Sequence, residues 1–230
     1  MVSAVSLGIE WCSHSTLYRD DMDQKKYLST LQTILVTNTR SYTDRQSMAA
    51  DLAVKLAKNG KKVALLDADF RRPLIHNLFE LPNELGFSDI LINHRSPLSV
   101  MHKNQVDHLS ILTSGTQPGL YLDLFNSAKM DLSMKILKES YDKIIIHGPP
   151  FFFSETVNLA SRADAVIILI HPGYNKTESS RSIINKFQQT NAQIIGIVMR
   201  DQPRHQANQS MFIDQLLSFD KRAKTITEQI

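Results

Sequence analysis

Residues 33–73 read TILVTNTRSYTDRQSMAADLAVKLAKNGKKVALLDADFRRP, and the order of patterns within them decides the fold. Thr33 to Thr37 is a short apolar, β-branched run of the kind that forms a strand buried on both faces. From Gln46 onward, Ala49, Leu52, Ala53, Leu56 and Ala57 fall on one stripe of a predicted helix, which Asn59-Gly60 ends. Lys62 to Leu66 is a second buried strand, and it runs directly into Asp67-Ala68-Asp69-Phe70-Arg71-Arg72-Pro73. Strand, loop, helix, strand is the opening of a nucleotide-binding α/β domain.

The pattern continues downstream. Further strands are predicted at His108–Thr113, Tyr141–Ile146, Ala163–Ile170 and Ala192–Met199. Between the last two, Lys176 to Gln189 is an amphipathic helix with Ile183, Ile184 and Phe187 on its inner side. Strands alternating with helices imply a three-layer α/β/α domain with a mostly parallel central sheet. The predicted organisation is a polar N-terminal arm over residues 1–32, the α/β domain over 33–202 and a tail over 203–230. Met211, Phe212, Gln215, Leu216 and Phe219 make the tail amphipathic, and Lys221, Arg222 and Lys224 make it basic.

Composition bounds the function. A chain of 230 residues with 42% hydrophobic content suits one domain with a full-sized core. The net charge of +3 comes without any long Lys/Arg run, so no nucleic-acid arm is expected. One cysteine, Cys12, allows no internal disulfide and fits a reducing cytoplasm. No apolar run reaches the ~20 residues that span a bilayer, and no signal peptide is expected. Structural zinc, a Cys/His pair and a serine triad have no motif here.

The segment Asp67-x-Asp69-x-Arg71-Arg72-Pro73, followed by His76, Phe79, Asn83, Gly86, Ser88-Asp89 and Leu91, resembles the bacterial tyrosine kinases (BY-kinases). These belong to the MinD/ParA superfamily of P-loop ATPases, so the resemblance implies a P-loop NTPase-like fold. It covers about residues 33–200. The family's phosphate loop, Pro-Gly-Glu-Gly-Lys-Ser/Thr, is replaced in register by Ser41-Tyr42-Thr43-Asp44-Arg45-Gln46. A phosphate cradle needs glycines so that consecutive N–H groups turn inward. A side chain held in left-handed geometry costs ~1–2 kcal/mol, and Tyr42 adds bulk beside the ligand. Asp44 sets a carboxylate where phosphates would sit, a repulsion of roughly 4 kcal/mol at ~4 Å with effective screening. Arg45 keeps the lysine's charge with a different shape, and Gln46 lacks the hydroxyl that binds Mg²⁺. Eight glycines in the whole chain agree with this loss.

The other ligand positions change as well. His147 replaces the second-motif (Walker B) aspartate that helps hold Mg²⁺, and a neutral imidazole does not suit a hard cation. Gly119-Leu120 and Arg200 depart from residues that stand near adenine in the superfamily. Asp67 and Asp69 remain as an incomplete metal site. Arg71 and Arg72 either contact phosphate or a neighbouring subunit, or neutralise Asp67 and Asp69. His76 is read as a packing or capping residue. Phe151-Phe152-Phe153 is either a contact surface, for a partner or for self-association, or an aromatic run with at least two rings turned inward. Glu155 falls near a family aspartate. In the arm, Glu10 matches the first position of the family's ring-forming Glu-x-x-Arg-x-x-Arg helix, but Ser13 and Thr16 stand at its arginines.

The resemblance therefore implies a degenerate member, a pseudokinase serving exopolysaccharide or capsule assembly. It would bind a membrane-anchored chain-length regulator or a kinase paralogue at the cytoplasmic face of the membrane. No cofactor is expected on this reading. The alternative is a divergent ATPase or tyrosine kinase that uses ATP and Mg²⁺, with Arg45 on phosphate, Asp67 and Asp69 on the metal and Asp69 as base. A third reading is a MinD/ParA-like adaptor that positions a complex at the membrane through the tail.

Overall fold

A computed structural model describes residues 30–38, 48–93, 95–116, 124–170 and 193–199. Its core is a seven-stranded sheet. The strands are β1 (Thr33–Asn38), β2 (Val63–Asp67), β3 (His102–Lys103), β4 (Leu109–Leu112), β5 (Lys143–His147), β6 (Ala165–Ile170) and β7 (Gln193–Met199), ordered β3-β4-β2-β5-β1-β6-β7. Only the β3–β4 pair is antiparallel. The described helices are α1 (Met48–Lys58), α2 (Ile75–Leu78), α3 (Phe87–Asn93), α4 (Ala128–Ser140) and α5 (Ser154–Ala160), with a 3-10 turn at Pro97–Ser99.

Alternation along each strand builds two cores, because successive side chains leave opposite faces. Leu35, Leu66, Ile144, Ile146, Val166 and Ile168 join Phe70, Phe87, Phe125, Met130 and Leu159 on one face. Ile34, Val36, Leu65, Ile145 and Ile167 join Leu52, Leu56 and Ile75 on the other. This is the three-layer, mostly parallel architecture that the sequence predicts. The strand predicted from His108 begins at Leu109 and stands fourth in the chain. The third, β3, was not foreseen, since two residues are too few to show a period. The first helix is described from Met48, and Gln46 lies outside the described residues. The strand predicted from Ala163 starts at Ala165, because the Asp164 carboxylate turns to accept the N–H groups of Gln32 and Thr33 at 2.9 and 2.7 Å. The predicted helix over 176–189, the tail and the arm before residue 30 lie outside the described residues.

The start of α3 is clasped to the turn after β4. Asn83 accepts from Gly115 N at 2.9 Å and donates to Gly115 O at 3.1 Å. Asp89 accepts from Gly86 N at 3.0 Å and from Thr116 Oγ1 at 3.1 Å, while Ser88 Oγ donates to Thr116 O at 2.6 Å. Two backbone bonds, Phe87 N to Thr113 O and Ser88 N to Ser114 O, complete it. The backbones of Gly86 and Gly115 touch, leaving no room for a Cβ on either. The Asn83–Asp89 motif is thus a folding device that fixes the chain leaving β4.

Candidate functional site

In an open parallel sheet, ligands bind beyond the carboxyl ends of the strands. Here β5 lies between β2 and β1, and the register sets Asp67 and Val36 level with His147. The turn after β5 is laced onto the end of β1. Gly148 N donates to Val36 O at 2.9 Å, Phe151 N to Asn38 O at 3.0 Å and Thr37 Oγ1 to Pro149 O at 2.7 Å. Tyr42, Asp44, Arg45 and Gln46 lie in 39–47, outside the described residues, as do Gly119, Leu120 and Arg200. The described part of the site is therefore Asp67, Asp69, Arg71, His147 and Glu155.

Asp67 is fully buried, and both its oxygens are engaged by backbone. Oδ2 accepts the N–H groups of Leu74 and Ile75, each at 2.9 Å, and Oδ1 accepts that of Asp69 at 3.3 Å. It thereby ties the loop after β2 to the start of α2. Burial pushes its carboxyl up to about 6, against the downward pull of those hydrogen bonds. Asp69 is also buried and accepts Arg72 N at 3.2 Å. Burial raises its carboxyl too, with His147 pulling the other way. Burial holds the His147 imidazole below its ordinary value despite the nearby Asp69 carboxylate, so the ring is neutral at pH 7.

Mg²⁺ asks for several hard oxygen ligands in near-ideal octahedral array. The described residues do not supply that set. Asp67 is turned onto three backbone donors, His147 offers nitrogen, and no group of three His, Cys, Asp or Glu among the described residues could hold a metal ion.

Arg71 pairs with an acid that the sequence reading did not match to it. Its Nη2 donates to Glu155 Oε1 at 2.6 Å, and its guanidinium lies 4.6 Å from the centre of the Phe153 ring. The ion pair it makes is with Glu155, 84 residues away, at the start of α5. The Glu155 side chain is 3% exposed and the Arg71 side chain 40%. Arg71→Ala is expected to cost about 2 kcal/mol in urea unfolding, less than a fully buried pair because water reaches the guanidinium. Arg71→Lys, keeping the charge but not the fork, should recover part of that loss.

The three phenylalanines divide their tasks. Phe151 packs against the first core, Phe153 lies beneath Arg71 and Phe152 is 44% exposed. His76 sits in α2, but the N–H groups at the start of that helix are taken by Asp67. Sequence reading missed this link and the Arg71–Glu155 pair. The only advance signal of the pair was Glu155 standing near a family aspartate.

The AAA domain family model matches residues 31–197. A putative tyrosine-protein kinase of Staphylococcus aureus, CapB, is 27% identical over 177 residues, 75% of this chain and 76% of that protein. The tyrosine-protein kinase YwqD of Bacillus subtilis is 28% identical over 170 residues, covering 74% and 72% of the two chains. Among solved structures, the chimerical protein CapA2B2 superposes with a TM-score of 0.71 at 26% identity, over 76% of this chain and 78% of that one. The cell division ATPase MinD of Pyrococcus furiosus shares the fold at a TM-score of 0.64 and 16% identity, over 80% and 79%.

Proposed function

This chain belongs to the AAA domain family, in the BY-kinase branch of the MinD/ParA-like P-loop ATPases, and from that membership we propose that it is a pseudokinase. It keeps the scaffold and partner surfaces of the branch without the phosphoryl chemistry. Its place is exopolysaccharide or capsule biosynthesis and export, as a scaffold or regulator bound to a membrane-anchored chain-length regulator or a kinase paralogue. No described helix is long and apolar enough to cross a membrane, and in this proposal the contact with the membrane goes through such a partner or through the surface.

One observation carries this reading. Two acids at the carboxyl edge are engaged by the fold: Asp67 holds three backbone N–H groups and Glu155 holds Arg71. Beside them a neutral, buried His147 stands where metal binding needs charge. Calorimetric titration with ATP and ADP, with and without Mg²⁺, tests it. The expected result is no heat and no thermal shift at millimolar nucleotide. Micromolar, Mg²⁺-dependent binding would overturn the reading.

A second reading, a divergent kinase or ATPase, draws on Asp69. Its raised carboxyl beside His147 has the character of a general base for a tyrosine hydroxyl. Turnover of radiolabelled ATP that disappears in Asp69→Ala would favour this enzyme over the scaffold.

A further inference from the structure

The large hydrophobic side chains exposed among the described residues are Leu85, Ile92, Leu98, Leu132 and Phe152. Three of these five share one flank. Ile92 is near the end of α3, Leu98 is in the 3-10 turn and Leu132 is on the outer side of α4, and α3 and the turn both pack on α4. Lys129 Nζ joins two of the elements by donating to Ile92 O at 2.9 Å. That acceptor is neutral, so the lysine's charge stays on the surface.

Basic residues neighbour these aliphatics along the chain. Arg95 and Lys103 flank the 3-10 turn in sequence, and both are exposed. Lys129, Leu132 and Lys135 follow one another at helical spacing on the outer side of α4. The acids of that helix's outer side weigh little against them. Asp131 is held by Arg162 at 2.6 Å, and Glu139 lies a turn further on, toward the helix end.

We propose that this α3–turn–α4 flank is a contact for an anionic phospholipid surface. A diffuse sheet of headgroups suits lysine point charges, each contributing independently near an acidic leaflet. Three aliphatic side chains are enough to enter the headgroup boundary. They are too few for the ~1,000 Å² that a stable protein interface buries, and no Trp or Tyr anchor stands among them. The flank lies on the helical layer rather than at the carboxyl edge, so the contact goes beyond the pseudokinase reading and stands independently of nucleotide binding.

Vesicle co-sedimentation of the full chain tests the proposal, with phosphatidylcholine alone and with 30% phosphatidylglycerol. Binding is expected only to the anionic vesicles, weakening as salt is raised. Lys129→Glu with Lys135→Glu, and separately Leu98→Ser with Leu132→Ser, should each weaken it by about tenfold or more. Leu98, Leu132 and Lys135 are exposed, and Lys129 is half-buried with a hydrogen bond to Ile92 O, so the melting temperature should stay near that of the parent chain for the leucine pair and fall only slightly for the lysine pair. A tail variant, Lys221→Ala, Arg222→Ala and Lys224→Ala, should bind as the parent does. Loss of binding in the tail variant alone would overturn the proposal, as would the absence of any phosphatidylglycerol-dependent sedimentation, which would leave the flank to a protein partner. Nucleotide titration on the same samples reads the pseudokinase assignment separately.

Discussion

Gly86→Ala is expected to remove about 3 kcal/mol or more of folding stability, the loss typical of severe overpacking. The added Cβ would lie against Gly115 N and Thr113 O and 2.6 Å from Gly115 Cα, all of them backbone atoms. Backbone cannot swing aside as a side-chain tip can, so relief requires the α3 start to lift from the turn after β4. Lifting it would break the Asn83, Ser88 and Asp89 hydrogen bonds together. Gly60→Ala is the control. Gly60 has a left-handed φ of +81° but nothing within 4 Å of a new Cβ, so only the conformational cost of ~1–2 kcal/mol applies. Urea unfolding of both variants measures the gap. Equal losses would mean that the clasp is far looser than its geometry.

Asp67→Ala is the second large effect, about 3 kcal/mol at pH 7, because three N–H groups lose their acceptor in a buried site. Its pH dependence is distinctive. The folded-state carboxyl is raised from 3.8 to about 6, so between those values the native chain holds a proton that the unfolded chain has released. Stability from this group is then fully present below about 4 and is lost as pH rises through about 6, a swing of about 3 kcal/mol. The difference between the parent chain and Asp67→Ala should therefore be wider at pH 5 than at pH 7.5. Asp69 feels the Asp67 charge, so the difference reports on Asp67 together with its coupling to Asp69. A gap that widens with rising pH would reverse the assignment.

Much of this was legible in the sequence, and the reason is local periodicity. Leu35 and Val36, or Ile145 and Ile146, point to opposite cores because neighbours in a strand always do, and a run apolar on both parities reads directly as a central strand. The replacement of an aspartate by His147 was equally plain, since it concerns one position in a recognisable strand. The partnerships were not legible. Arg71 stands two residues from Asp69 in the chain, which invites pairing them, yet its acid arrives from α5 across the sheet edge. Asn83 and Gly86 meet Gly115 across about thirty residues of intervening chain, a distance that no periodic pattern encodes. The family motif marks Asp67 as a candidate metal ligand; that its oxygens also accept three backbone N–H groups is a link no periodic pattern encodes.

The sheet's amino edge anchors the chain where it enters β1. Gln32 Nε2 donates to Lys138 O and Tyr141 O, Lys143 Nζ to Leu31 O, and Asp164 holds Gln32 N and Thr33 N. The polypeptide is thus moored at that edge just before β1 begins. A strand of six residues then separates the mooring from the site end, a length of roughly 20 Å. A pull on the chain at residues 31–33 is therefore taken up at this edge of the sheet, a full strand's length away from Asp69 and His147.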